Sequence, residues 1–489
     1  MVLTVIAIVG ITLFLFRHII IGHAFKVSVS KKTNKTIEFD IGHLRYSVFN
    51  SSVTFYDSDF SFSEIYINKE KTIQLSELKF DELSISGLSI FKLLFDDAVI
   101  ADKFILDKPS LWFTENNQPA PFKEKPKEII KTLKEHPNLL GKLTIDVDEI
   151  EILHGKVDLK SIINSEEHSG KVEFKLLLKD FNTEKEDIFN EDRFLFAKEH
   201  LLKLSNFNYL FQNGDKFSFD STVIGTYNNS LTISNLQLEV DGNVMHPQIN
   251  RFKAAVKKLE LIGVDLSDFQ ADHDISIDGL LVSNANLQID KNDHSSAKKQ
   301  PDTTSQITNF LKRLTLGKLE LRNINAIAKE ENGERLANFS DLNFQVDSII
   351  IDSTVIVNKI PKLDFESIKL NFKELFFHDQ EKGLKVLLDA FLFDEKNGVV
   401  VLSDLHFDDK AKGKYSHIAD VDSVVLSGIF MEKYLDKEML TIGVSMVNPI
   451  ADIDMVVANS KMKGNSSLNN LRIKDVNILN GSINLVEEE

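Results

Sequence analysis

The residue types best able to do chemistry are scattered along this sequence rather than gathered. Asp272-His273-Asp274 is the tightest grouping of a histidine with carboxylates, the kind of donor set a metal ion or an acid–base pair would need. None of the 13 His falls into H-E-x-x-H or a comparable ligand spacing, so that triplet reads as a solvated turn between strands. Acidic pairs such as Glu330-Glu331 and Asp408-Asp409 could supply two carboxylates for glycoside chemistry. In a chain with 74 acidic residues against 57 basic ones, they read instead as charges that solvate turns. Gly-x-Ser-x-Gly and phosphate-cradling glycine loops are missing. The sequence holds no cysteine, which removes disulfides, thiolate zinc sites and cysteine nucleophiles together and leaves the redox compartment open. These residues predict a protein that is not an enzyme and carries no metal or cofactor.

The elements that would have to position any site are strands. After residue 36 the pattern is alternation, as in Leu231-Thr232-Ile233-Ser234-Asn235-Leu236-Gln237-Leu238. Roughly twenty such runs are strand length. Only 9 Pro and 21 Gly interrupt the 489 residues. Hydrophobic content of 43% is enough for a folded chain, and 36 Phe against 7 Tyr and 1 Trp points to dry apolar surface without polar handles. The formal charge of −17 argues against nucleic acid.

The first residues are different. Val2 to Phe16 is uncharged, and Ile19 to Ile21 continues the run past Arg17 and His18. The strict run makes about 22 Å of helix and the extended one about 30 Å, enough for a hydrocarbon core. Arg17 would snorkel near one end. The reading is a retained anchor over 1–25; Gly22-His23-Ala24 also resembles a signal-peptide cleavage site, though no basic region precedes the run. Arg17, Lys26, Lys31, Lys32 and Lys35 follow the span, a bias that by itself would hold the body in the cytoplasm.

Laid on itself, the chain repeats. Leu83-Ser84-Ile85-Ser86-Gly87 matches Leu259-Glu260-Leu261-Ile262-Gly263. Phe104-x-Leu106-x-x-Pro109-x-Leu111-x-Phe113 matches Leu280-x-Val282-x-x-Ala285-x-Leu287-x-Ile289, and Gly141-Lys142-Leu143 matches Gly317-Lys318-Leu319. The offsets 259 − 83, 280 − 104 and 317 − 141 all equal 176. A later pair, Phe217 with Leu236 against Val386 with Leu405, sits at 169, which implies a deletion in the second copy. A third, partial copy opens at Val424-x-Leu426-x-Gly428, passes Asn448-Pro449 (the counterpart of Lys108-Pro109), and ends with Val476 to Leu485 repeating Ile150 to Leu159. The expected organisation is therefore 1–25 anchor, 26–242 first unit, 243–410 second unit and 411–489 partial third unit. Short helices are expected at Pro126–His136 and around Ile307, Phe310, Leu311 and Leu314, each feeding a Gly-Lys-Leu strand. The lysines of the first are diluted by Glu124, Glu128 and Glu135, so it reads as a cap on the sheet rather than a lipid contact. Trp112 reads as core, and Glu487-Glu488-Glu489 as charges that discourage further strand pairing.

Alternating strands in a repeat array bury one face, and that face must meet something apolar. It can be a lipid or a second sheet in a closed sandwich. The matched apolar positions are the candidate lining: Leu83, Ile85, Phe104, Leu106, Leu111, Phe113, Ile150 and Ile152 in the first copy. Leu259, Leu261, Leu280, Val282, Leu287 and Ile289 serve in the second, and Ile478 and Ile483 in the third.

An anchor followed by Ile41-Gly42-His43-Leu44-Arg45-Tyr46-Ser47, the strand Val53-Thr54-Phe55-Tyr56, and Leu83-x-Ile85 running to Ile105-Leu106-Asp107-Lys108-Pro109-Ser110-Leu111 resembles the AsmA family of bacterial envelope proteins. The resemblance covers 1–160 best. It implies an elongated, twisted β-groove of repeated units with a few short helices. It also implies a single-pass anchor in the inner membrane, with the bulk of the chain in the periplasm. The implied role is phospholipid transport and outer-membrane integrity, with other envelope proteins as partners, and the family brings no catalytic residues. Two departures stand out: the basic leader is missing, and roughly twenty strands at about 4.8 Å give an array of only about 100 Å. The alternative is a non-enzymatic scaffold regulating outer-membrane protein assembly.

Overall fold

Alternation of β-branched and aromatic residues with polar ones produces strands nearly throughout. The computed structural model describes residues 37–117, 144–241, 249–265, 274–291, 313–409, 417–430, 440–455 and 471–487 apart from breaks of a few residues, together with four positions between 22 and 27. Two compact units meet in sequence at Ile233 and Ser234. The expected anchor, but for Gly22 and His23, lies outside the described residues, as do the Pro126–His136 helix and Ile307, Phe310 and Leu311 of the second. Among the described residues no helix is long and apolar enough to cross a membrane.

Unit 1 holds β1 (Ile37–Asp40), β2 (His43–Ser47), β3 (Ser52–Phe62), β4 (Ile65–Asn68), β5 (Lys71–Ser86), β6 (Ala98–Asp107), β7 (Ser110–Asn117), β8 (Thr144–Ile163), β9 (Glu166–Asn182), the short hairpin β10 (Phe189–Asn190) and β11 (Arg193–Phe194), β12 (Glu199–Leu210) and β13 (Lys216–Gly225). The division between units falls within β14 (Ser230–Asp241). Unit 2 holds β15 (Ile249–Asp265), β16 (Asp274–Lys291), β17 (Arg313–Lys329), β18 (Arg335–Val357), β19 (Ile360–Asp364), β20 (Ser367–Asp379), β21 (Leu384–Asp394), β22 (Val399–Asp409), β23 (His417–Ser427), β24 (Leu440–Val447), β25 (Ile450–Met455), β26 (Leu471–Leu479) and β27 (Ser482–Glu487). Leu314, which the sequence pattern assigned to a helix, is instead the second residue of β17; its row of apolar neighbours has a period that short runs do not distinguish.

Among the described residues, pairing within each unit is mostly antiparallel, with parallel pairs at three places. β6 and β7 run parallel to β8, β16 to β17, and β24 and β25 to β26 and β27. A parallel pair needs a long crossover, and these fall at 118–143, 292–312 and 456–470, once in each sequence repeat. The hydrogen bonding at the first and third crossings is the same. Lys108 N–H donates to Leu153 O at 2.8 Å and Lys156 N–H to Pro109 O at 2.7 Å; Asn448 N–H donates to Leu479 O and Ser482 N–H to Pro449 O, both at 2.8 Å. Gly87 and Gly428 adopt positive φ (68° and 84°) directly after β5 and β23, and Gly263 does so (63°) two residues before the end of β15.

One equivalence shifts. Phe104 pairs with Ile150 whereas Leu280 pairs with Leu319, so β8 and β17 correspond at 319 − 150, an offset of 169. The seven-residue deletion therefore lies in the crossover, and the Gly141/Gly317 match at 176 is not structural.

The strands share a further device. Lys108, His154 and Asn206 in unit 1, and Asn284, Asn323, Asp341, Glu374, Asp404, Asn448 and Asn480 in unit 2, all have φ between 49° and 55°. One left-handed residue kinks the strand and shifts its alternation by one. Asparagine and aspartate tolerate this conformation best among residues with side chains.

Candidate functional site

The kinks decide which side chains share a face. In β16, Leu280 and Val282 precede Asn284, while Ala285, Leu287 and Ile289 follow it with the opposite parity. Without the kink the two sets would face opposite ways. With it, Val282, Ala285 and Leu287 pack in one cluster with Val256, Leu259, Ile324 and Leu321.

Directly paired residues point to the same side of a sheet, so the register can be read as rows. In unit 1 one row runs Leu44, Phe55, Leu83, Leu106, Ile152, Leu176, Leu202, Ile224. Beside it run Tyr46, Val53, Ile85, Phe104, Ile150 and Leu178. Leu111 lies in a row of Leu78, Val157 and Val172 beyond the kink, and Phe113 pairs with Leu75 and Leu159.

In unit 2 the row through Leu259 and Val282 continues to Leu321, Phe344, Leu370, Phe393, Val400, Leu426, Val444 and Val476. Leu261 and Leu280 continue to Leu319, Val346 and Ile368. On the far side of the kinks, Ile289 connects through Ala328, Ala337, Phe377, Val386, Phe407, Ala419 and Ala451 to Ile483. Ile478 closes a row of Phe372, Phe391, Leu402, Val424 and Met446, with the Phe372 and Phe391 rings stacked at 4.7 Å. Leu287 pairs with Ala254 and Ala326. The candidates thus fall into a few unbroken rows in each unit.

Burial divides them. Leu83, Ile85 and Leu106 are 3%, 2% and 7% exposed and sit in a sealed cluster with Val53 and Phe55, both at 0%; Phe104, Ile150 and Ile152 pack against it. Leu111, Leu259, Leu261, Leu280, Val282, Leu287 and Ile289 are half-buried, and Ile478 is 54% exposed. The side chains of Phe113 and Ile483 lie outside the described residues.

The polar face is tied by ion pairs and amide ladders. Lys103 meets Glu149 at 2.6 Å and Glu151 at 2.9 Å, and the hydrogen bonds it donates to these two carboxylates raise its pKa. Glu320 lies 2.7 Å from Arg322 and 3.3 Å from Lys318; the Arg322 hydrogen bond leads in holding its carboxyl below the ordinary range against the opposing effect of burial. Asn325 Nδ2 donates to Asn286 at 3.1 Å and Asn343 Nδ2 to Asn371 at 3.0 Å.

A polar cleft of about 440 Å³ opens at the unit 1 kinks, lined by Asp81, Lys108, His154, Lys156, Glu173 and Lys175 among others. Its charges are largely taken: Lys108 Nζ meets Asp81 at 2.7 Å and His154 Nδ1 meets Asp107 at 2.8 Å. Among the described residues no three His, Asp or Glu gather as a metal site. Of Asp272-His273-Asp274, only Asp274 is described, opening β16. What sequence reading missed is the kink line, although its signal stood in the text: the x-x in Phe104-x-Leu106-x-x-Pro109 marks the phase shift.

No protein-family model matches the chain, and no curated protein matches it. A solved structure, the sex pheromone precursor from Lactobacillus salivarius subsp. salivarius UCC118, aligns over 70% of this chain and 85% of its own at 8% identity, with a TM-score of 0.09, a likeness that carries no argument.

Proposed function

We propose that this protein is a membrane-anchored lipid-binding and lipid-transfer protein of the bacterial periplasm, shielding phospholipid acyl chains on the apolar face and so contributing to phospholipid transport and outer-membrane integrity. The observation that carries the reading is the continuity of the unit 2 rows, from β15 to β26, with side chains such as Leu280, Leu287 and Ile289 left half-exposed. Each CH₂ withdrawn from water onto such a surface contributes about 0.8 kcal/mol, so two acyl chains bind firmly without a specific contact. Rows without polar stops let the chain slide. The inner-membrane anchor, the periplasmic placement and envelope-protein partners rest on the resemblance to the AsmA family.

The sealed cluster around Val53 and Phe55 makes that part of unit 1 ordinary core, so lipid contact is assigned to unit 2. A scaffold for outer-membrane protein assembly is the alternative for the whole chain. The test is lipid mass spectrometry on residues 26–489 purified without detergent. Phospholipid at one or more molecules per protein, lost in Leu287→Asp with Leu402→Asp while far-UV dichroism and melting stay near wild type, supports the proposal. A lipid-free, monodisperse protein, or global unfolding of that double variant, overturns it and leaves the scaffold.

A further inference from the structure

The sequence repeat supplies an internal comparison at the kink line. Leu106, Ile152, Leu176 and Leu202 pair in a row in unit 1 as Val282, Leu321, Phe344 and Leu370 do in unit 2. One or two residues from these, Lys108, His154, Lys175 and Lys203 occupy the places of Asn284, Asn323, Asn343 and Asn371. In unit 2 the asparagines satisfy one another. Asn323 Nδ2 donates to Asn284 Oδ1 at 3.4 Å, Asn323 N–H to Asn343 Oδ1 at 3.1 Å, and Asn343 Nδ2 to Asn371 Oδ1 at 3.0 Å. A neutral amide ladder therefore suffices to close a kink in this fold.

Unit 1 puts cations there instead. Lys175 lies directly opposite Lys203, a like-charge pair that costs stability when nothing offsets it. Lys156, where unit 2 has Asn325, adds a further ammonium on the neighbouring strand. The nearby carboxylates are committed elsewhere: Asp81 to Lys108, Asp107 to His154, and Glu173 to Asn206 Nδ2 at 3.0 Å. Among the described residues the ammonium groups of Lys156, Lys175 and Lys203 have no hydrogen-bond or ion-pair partner. Lys156 and Lys175 line the 440 Å³ cleft together with Ser110 and Ser205, in a chain whose formal charge is −17. We propose that this cleft binds a phosphoryl group, free in solution or carried by a lipid headgroup, on Lys156 and Lys175 with Lys203 beside them. A compact dianion accepts charge-assisted hydrogen bonds from several ammonium groups at once, and it offsets the repulsion between the facing lysines. The proposal does not depend on what the apolar face carries.

The test melts the full chain, in a non-ionic detergent, by far-UV dichroism. Millimolar inorganic phosphate and millimolar dihexanoyl phosphatidic acid are each compared with chloride at the same ionic strength. The wild type is expected to melt several degrees higher with at least one of the two phosphoryl probes. A shift with inorganic phosphate assigns the group itself, and a shift with the lipid alone assigns a headgroup. The Lys156→Asn, Lys175→Asn, Lys203→Asn variant rebuilds the arrangement of unit 2. In chloride it is expected to be at least as stable as wild type, having lost a repulsion, and to lose the shift with both probes. Arginine at the same three positions keeps the charge and is expected to keep the shift. No shift with either probe, or an equal shift in the asparagine variant, overturns the proposal. An asparagine variant markedly less stable than wild type in chloride also overturns it, by assigning the lysines to the fold.

Discussion

Asn284→Val keeps the residue count of β16 but takes away the side chain that tolerates φ 53°. Relaxing that position to extended backbone would let the alternation run on unbroken and turn the half-strand beyond it over, placing Ala285, Leu287 and Ile289 on the polar side and Asn286 and Gln288 on the apolar side. Full burial of a leucine or isoleucine is worth about 1.5–3 kcal/mol, and both are half-buried, so together they would lose about 1.5–3 kcal/mol. Ala285, 2% exposed, adds about 0.8 kcal/mol for its methyl. Two amides turned onto apolar neighbours cost about 1 kcal/mol each. The sum is about 4–6 kcal/mol, whereas holding a valine in the left-handed conformation costs about 1–2 kcal/mol. The cheaper course keeps the kink, so the expected loss is about 1–2 kcal/mol with the faces unchanged, read by urea unfolding followed by far-UV dichroism. Asn284→Gly keeps the positive φ without a side chain and is expected within about 1 kcal/mol of wild type. A valine variant as stable as wild type, or a glycine as damaging as the valine, would refute the idea that a left-handed residue at the kink sets the faces.

Other consequences follow from the same structure. Phe55→Ala empties a fully buried site whose ring lies 5.1 Å from that of Phe39; unfolding should show a loss of about 3–5 kcal/mol. Gly263→Ala meets the Asp278 side chain and a backbone at φ 63°, and should destabilise by about 1–3 kcal/mol, with Asp278→Ala recovering the part due to the clash. Because the folded pKa of Glu320 is depressed, its contribution is present above the unfolded carboxylate value and lost as pH falls through the folded one. Glu320→Gln should therefore cost about 0.2–1 kcal/mol at pH 7 in low salt and progressively less as the pH is taken below the ordinary carboxylate range, measured by urea midpoints across that range.

The fold class was legible because alternation is local: Leu231 to Leu238 reads as strand without reference to anything else. The recurring glycines were legible too, since Gly87, Gly263 and Gly428 all turn out left-handed, although Gly263 sits within β15 and the other two just beyond a strand. Strand partners were not, because parallel crossing from β16 to β17 depends on distant register, and a Gly-Lys-Leu coincidence outweighed it. Facing was missed for a different reason. A period of two, counted across Asn284, averages two phases and hides that both halves look the same way. Burial was least legible: Leu83 and Leu259 occupy matching places in the repeat, yet one is sealed and the other half-exposed, since cover comes from tertiary surroundings rather than from the strand itself.

The repeated crossing also acts as a ruler. From β16 to β24 the rows of unit 2 advance seven strand spacings, about 34 Å, before the arrangement that began them returns. Duplicating or losing one such segment would change the length of the apolar path in a fixed increment while leaving its chemistry alone. What such a segment must preserve is polarity and phase, not the identity of any side chain. Length in this architecture is thus a heritable quantity set by copy number, separable from whatever the path carries.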